Sequence, residues 1–276
     1  MKKKLRYILP VGVKKGLKYS YYTLLDAKDF VTRKGEKGYP PRRLNFVGSH
    51  DFKKVGDEFL VHFKTLGKLK KDEKVLDIGC GIGRMAIPLS KYLSPDSTYR
   101  GFDIDKRGIV WCEKNITKYR PHFQFQYIDL YNKFYNANGK IHAHEFTFPY
   151  DQNRFDFVFA TSVFTHLLPR DAEHYLEEIR RVTREDGRAF LTFFILDETS
   201  QALMKKDSSK AHFSHQHKDH KDCFYSHRFN PEAEIAYTKY WLETQIKKAG
   251  FKNLEIYPGT WSGQKGISYQ DIVIVS

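Results

Sequence analysis

The sequence predicts an α/β fold: a Rossmann-like, doubly wound, mostly parallel sheet of seven strands with an antiparallel last strand, preceded by an N-terminal extension. Three observations carry this expectation. From residue 73 onward, short β-branched and aromatic runs alternate with helix-patterned stretches, the rhythm of βαβ units. One of those runs passes into a glycine turn at Gly79, Gly81 and Gly83 and then into a helix. The next two runs end in acids, Asp103 and Asp129, at the edge where open α/β sheets bind their ligands.

The chain opens with a basic arm. Residues 1–43 hold 13 Lys or Arg against Asp26, Asp29 and Glu36, so +10 of the chain's net +14 sits in this segment and the rest is only mildly basic. Leu5, Ile8, Leu9, Tyr21 and Tyr22 are interleaved with Lys2, Lys3, Lys4, Arg6, Lys14 and Lys15, a composition suited to an anionic membrane surface. Pro10 and the two lysines at 14 and 15 interrupt the apolar stretch that a secretory signal would need. Residues 44–72 read as a connecting segment or helical cap, with Pro40-Pro41-Arg42-Arg43-Leu44 as the hinge between arm and core.

Strands are expected over 74–78, 98–102, 123–128, 155–160, 189–195, 254–257 and 271–275, and helices over 84–93, 107–119, 171–183 and 240–249. The helix over 171–183 opens on Asp171, spaces Tyr175, Leu176, Ile179 and Val182 on one face, and is expected to stop at Gly187. Pro258-Gly259-Thr260-Trp261-Ser262-Gly263 joins the last two strands as an antiparallel hairpin, with Trp261 either covering the site or packing. Two insertions, 131–151 and 197–237, interrupt the rhythm and read as functional lids or loops.

Composition excludes several classes. Hydrophobic residues at 41% and aromatics at 16% argue against wholesale disorder. Cys80, Cys112 and Cys223 are too few and too scattered for a disulfide framework, which favours a reducing, cytoplasmic compartment. No apolar run is long enough for a transmembrane helix, so the chain reads as soluble or as peripheral at the inner membrane face.

Val75-Leu76-Asp77-Ile78-Gly79-Cys80-Gly81-Ile82-Gly83-Arg84 is the most informative stretch. Its glycines let the backbone turn sharply and approach a ligand closely. Arg84 stands where the dinucleotide fingerprint needs its third glycine, and no Gly-Lys-Ser/Thr follows, so neither that pattern nor Walker A is met. Asp103 at the end of the next strand is placed to accept hydrogen bonds from ribose hydroxyls, and Asp129 to read an adenine amino group.

Together these residues resemble a class I S-adenosylmethionine-dependent methyltransferase. The resemblance covers about residues 73–276. Residues 155–164 resemble the fourth-strand motif, and 178–188 the helix and turn before strand five, with Glu185-Asp186-Gly187-Arg188 in place of the usual Pro-Gly-Gly. It implies S-adenosyl-L-methionine as cofactor, held by Asp77, Gly79, Cys80, Gly81, Gly83, Asp103, Ile104, Asp129, Leu130 and Thr161. The reaction it implies is in-line displacement at a sulfonium methyl, in which alignment of the reactants does much of the work.

A hydroxyl acceptor also needs a base, and His166 in Thr161-Ser162-Val163-Phe164-Thr165-His166 is the candidate, with a packing role as its alternative. Asp/Asn-Pro-Pro-Tyr is absent after strand four and no cysteine stands beside a proline there, which disfavours the two base-methylating routes on nucleic acid. In the second insertion His212, His215, His217, His220 and His227 suggest a metal, but their spacing matches no compact ligand set, and a polar lid is preferred with no metal assigned. Tyr131, Asn132, Tyr135 and Asn136 in the first insertion suit a polar acceptor such as a sugar. The expected function is therefore methyl transfer to oxygen of a small, sugar- or lipid-linked acceptor. An RNA methyltransferase using the basic arm, and a silent cofactor-binding module, stand as alternatives.

Overall fold

In the computed structural model the described residues are 20–28, 32, 38–44, 51–133 and 135–276. Most of the arm expected over 1–43 lies outside them. Within it, residues 20–28 are helical, and Asp26 accepts the backbone N–H groups of Arg42 and Arg43 as well as the Arg43 guanidinium at 3.0 Å.

The seven strands of the main sheet are β1 (Lys74–Ile78), β2 (Thr98–Asp103), β3 (Phe123–Tyr127), β4 (Phe155–Ala160), β5 (Thr183–Phe193), β10 (Leu254–Tyr257) and β11 (Asp271–Val275). Their order is β10-β11-β5-β4-β1-β2-β3. β1 to β5 pair in parallel, and β11 runs antiparallel to both neighbours. The strand order reverses between β1 and β4. At such a switch point the crevice beyond the carboxyl ends of the strands opens as a ligand site.

Alternation along each strand builds two cores. Leu76, Val158, Ala160, Leu191 and Val273 face helices α4 (Pro169–Val182) and α6 (Lys239–Lys248). Val75, Phe157, Phe159, Phe190 and Ile272 face α1 (Phe52–Thr65), α2 (Ala86–Tyr92) and α3 (Lys106–Cys112). The α1 helix covers its face through Phe59 and Phe63, whose rings lie within 4.6 to 6.1 Å of Phe157, Phe159 and Phe190. The expected helix over 107–119 is shorter. Past Cys112 the chain widens into a π turn over Glu113–Thr117, where the N–H of Lys118 bonds the carbonyl of Glu113.

The helix expected to stop at Gly187 ends instead at Val182, and β5 begins at once with Thr183. Pro169 at the first turn and Arg180 and Arg181 at the last match the helix macrodipole. The polar residues 184–187 form a bulge between the pairs Thr183–Phe155 and Arg188–Phe157. Gly187 belongs to that bulge, because a side chain there would sit about 3 Å from the carbonyls of Phe155 and Asp156.

The second insertion is folded, and α5 (Glu198–Lys205) is its helix. Its strands β7 (His215–His217) and β8 (His220–Tyr225), with β6 (Ile195–Leu196) and β9 (Ile235–Thr238), form a four-stranded sheet in the order β6-β9-β8-β7. These strands escape a hydrophobic pattern because the outer pair is polar and mostly half-buried, and Cys223 alone in β8 is fully buried. Among the described residues the three cysteines are free and no three metal-capable side chains converge. No described helix is long and apolar enough to cross a membrane.

Trp261 packs in the core. It is fully buried between Phe194 and Phe213, and its indole N–H donates to Asp271 at 2.7 Å. Asp271 also accepts the N–H groups of Gly259 and Ile195, so one buried carboxylate ties β11, the β10–β11 connection and β6 together. Asp271→Ala strands three buried donors and is expected to cost about 3 to 5 kcal/mol of stability. Chemical denaturation measures it, and a loss below about 1 kcal/mol would show that these bonds do not hold the junction.

Candidate active site

At the switch point β1 runs into the glycine turn. The N–H groups of Gly79 and Cys80 donate to the carbonyl of Phe102, which ties the turn to the end of β2. Gly79, Gly81 and Gly83 all have positive φ, from +54° to +79°, which makes glycine the ready choice. Two of them shape space as well. A side chain at Gly79 would meet Val163 at 2.5 Å, so its absence lets the segment after β4 close over the turn. At Gly81 a side chain would point into open space, which marks the floor of the crevice.

Asp103 closes this floor. One oxygen accepts the Gly81 N–H and the other the Asp105 N–H, each at 2.7 Å. Burial pushes its carboxyl up to about 6, and those donors hold it from rising further. Beneath the turn Asp77 is buried, with Tyr99 donating to Oδ2 while Oδ1 has no hydrogen-bond partner among the described residues. Burial raises this carboxyl to about 8 against the Tyr99 bond, and the charge of Asp103 adds to the rise.

The other expected cofactor residues fall around the same edge. Asp129 follows β3, and both bonds to its side chain, from Tyr127 and Asn136, fall on Oδ1. Ile104 is half-buried and Thr161 half-buried just past β4. The side chains of Cys80 and Leu130 are turned into the cores, so these two present backbone to the crevice.

His166 ends a short 3-10 turn after β4. Its Nδ1 lies 2.8 Å from the carbonyl of Glu232. A carbonyl only accepts, so Nδ1 carries the proton and Nε2 is left as acceptor. The Tyr135 hydroxyl, 3.2 Å away, donates to it. Burial lowers the His166 pKa below its ordinary value and raises that of Tyr135. The pair is thus a neutral imidazole backed by a carbonyl and fronted by a phenol.

Both insertions build this arrangement. The carboxylate of Glu232, buried in the second, accepts the N–H of Lys133 in the first with both oxygens at 3.2 Å. Asn132 donates to the His166 carbonyl. Sequence reasoning named Tyr135 only as a polar contact and missed Glu232, whose role comes from a fold that no local pattern announces. It also missed a polar cluster in which the hydroxyls of Ser162 and Thr192 both donate to Gln270 Oε1. Ser162 there has φ +58°, unusual for a residue with a side chain.

The methyltransferase-domain family model matches residues 76–191, which span β1 to β5 and include the glycine turn and both acids. The chain carries a methyltransferase domain over residues 76–191, on a sheet whose order and antiparallel β11 are shared with the fold of methyltransferase structures. It is 29% identical over 139 residues to a demethylmenaquinone methyltransferase from Lactobacillus johnsonii, a match over 50% of this chain and 48% of that protein. The chain thus spans about half the length of this curated relative.

Among solved structures it resembles a S-adenosylmethionine-dependent methyltransferase from Aquifex aeolicus, with TM-score 0.52 and 16% identity over 86% of this chain and 98% of that one. It also resembles Haemonchus contortus phosphoethanolamine N-methyltransferase 2 in complex with S-adenosyl-L-methionine, with TM-score 0.51 and 18% identity over 74% of this chain and 39% of that one. At these identities the likeness is one of fold.

A methyltransferase domain implies S-adenosyl-L-methionine as cofactor. The residues present fit it: Gly81 leaves open space, and the buried Asp77 carboxyl, whose Oδ1 has no hydrogen-bond partner among the described residues, gives up its proton more readily beside a cationic ligand.

Proposed function

We propose that this methyltransferase acts on an oxygen of a small, sugar- or lipid-linked acceptor, with the Tyr135–His166 pair taking the acceptor's proton. Asp103 would hold the ribose hydroxyls and Asp129 the adenine side, with the backbone of Gly79, Cys80, Gly81 and Gly83 lining the methionine end and Ile104, Leu130 and Thr161 closing the edge. The bound cofactor supplies an electrophilic methyl on a positively charged sulfur.

The observation that carries the reading is the tautomer at His166. Its Nε2 is a free-base acceptor whose hydrogen bond reaches Tyr135. As the oxygen–methyl bond forms and the sulfur–methyl bond breaks, the acceptor's proton passes to the Tyr135 oxygen while the Tyr135 proton passes to Nε2. His166 then holds the charge, with Nδ1–H still donating to Glu232. An amine acceptor that arrives neutral gains less from such a relay than a hydroxyl does.

The basic arm over 1–43 fits the same reading as an electrostatic tether to anionic lipid, at about 1 kcal/mol per basic residue near the surface. Incubating the full chain with cofactor carrying a labelled methyl group and fractionated lipids, glycans, RNA and small metabolites tests the proposal. Label is expected in a lipid, glycan or small-molecule fraction as an ether or ester stable to nuclease. Nuclease-sensitive label would favour the RNA alternative, and cofactor binding without label in any fraction would favour a silent module.

A further inference from the structure

One exposed surface borders the site without serving it chemically. The loop over 226–230 follows β8 and is closed by the N–H of Ser226 on the carbonyl of Glu234 and by the N–H of Asn230 on the carbonyl of His227. At its tip Phe229 is 86% exposed. A single exposed aromatic is ordinary, but three features set this one apart.

Phe229 is held in place, since the Lys133 ammonium donates to its carbonyl at 3.4 Å and the Arg228 guanidinium lies 6.0 Å from its ring. The charged side chains placed directly against it, Lys133 and Arg228, are cationic, while the half-buried Glu234 carboxylate at the base of the loop accepts the Ser226 hydroxyl. Residues 131–144 contain Lys133 and Lys140, residues 226–231 contain Arg228, and neither segment contains an Asp or Glu. The nearby Glu232 is buried with both oxygens on a backbone N–H. Finally, the loop leads directly into Pro231–Ala233, the turn whose Glu232 carbonyl bonds His166, while Lys133 lies two residues from Tyr135.

We propose that this rim, with Phe229 as the inserted side chain, Lys133 and Arg228 beside it and Lys140 on the same insertion as Lys133, docks onto an anionic phospholipid surface and opens the site toward the bilayer. The proposal rests on the reading of a lipid-linked acceptor and goes beyond it by naming the face that meets the membrane. An exposed apolar side chain beside basic residues is what an interfacial site requires. The arm over 1–43 supplies attraction without orientation, whereas the rim, built on the two insertions that hold His166, sets which way the crevice faces.

The test uses the full chain and sedimentation with phosphatidylglycerol–phosphatidylcholine vesicles, with calorimetry of cofactor binding as the check on folding. Phe229→Ser combined with Arg228→Glu is expected to weaken partitioning onto the vesicles about tenfold and to leave cofactor affinity unchanged. In Phe229→Trp, emission quenched by bromolipids beyond the wild-type level places the tip in the interface. Unchanged partitioning in the double variant, or a Trp at 229 untouched by bromolipids, overturns the rim and leaves docking to the arm. Wild-type protein that ignores the vesicles also overturns it, while the labelled-methyl experiment independently retains or rejects the methyl-transfer reading.

Discussion

Replacing His166 by glutamine is expected to lower kcat about 10²- to 10⁴-fold, the usual worth of a positioned base, while cofactor affinity stays near wild type. Glutamine can still accept from Tyr135, so the site keeps much of its shape and loses the proton acceptor. Tyr135→Phe breaks the same relay one atom earlier and is expected to fall by a comparable factor, with kcat rather than KM carrying the loss.

The pH profile separates this from a structural role. Burial lowers the His166 pKa, so its acidic limb lies below the ordinary histidine value and the imidazole is neutral at pH 7. Wild-type activity falls as the pH drops through that limb, because protonation removes the base. In His166→Gln the limb disappears. Unchanged kcat in either variant, or an acidic limb of kcat at saturating cofactor that survives in His166→Gln, would remove the pair from the mechanism.

How much of this was legible in the sequence follows the range of the interactions. β1, β4, β10 and β11 have the expected bounds because their apolar runs are bounded by turn residues, and each strand is set by its own residues. The glycine turn and the acids Asp103 and Asp129 are local in the same sense: strand, turn and acid are contiguous. Gly187 misled because a glycine past a helix reads as a stop, whereas Thr183 already satisfies the helix end through its hydroxyl on the Ile179 carbonyl while it pairs with Phe155.

The acceptor side was only half visible. His166 stood out by type, but its protonation is decided by Glu232, 66 positions away, and its outward nitrogen by Tyr135, 31 positions before it. The sheet that brings Glu232 there has half-buried outer strands that carry His215, His217 and His220, so composition suggested a loop or a metal site.

Asp103→Ala is expected to weaken S-adenosylmethionine binding about 10- to 100-fold, the range that hydrogen bonds to a charged group supply. The substitution also frees the N–H groups of Gly81 and Asp105, so calorimetry with a cofactor analogue lacking one ribose hydroxyl is needed beside it. If Asp103 holds the ribose, wild type loses affinity for the analogue and Asp103→Ala loses little more. Equal losses in both proteins would assign Asp103 to shaping the turn alone.

Asp77 adds a pH signature to the same measurement. Its carboxyl titrates at about 8 in the cofactor-free chain, and a cationic ligand favours the ionised form, so binding drives a proton off. Affinity should therefore rise with pH up to about 8 and level off above it, and Asp77→Asn should flatten that rise. Without ligand the sign reverses. A folded-state pKa above the ordinary aspartate value means the native chain binds the extra proton, so this group's contribution to stability is fully present at low pH and is lost as pH climbs toward 8. Asp77→Asn is accordingly expected to gain thermal stability relative to wild type at pH 9 over pH 5 while losing cofactor affinity. A variant whose affinity keeps the wild-type pH slope would show that the buried proton lies elsewhere.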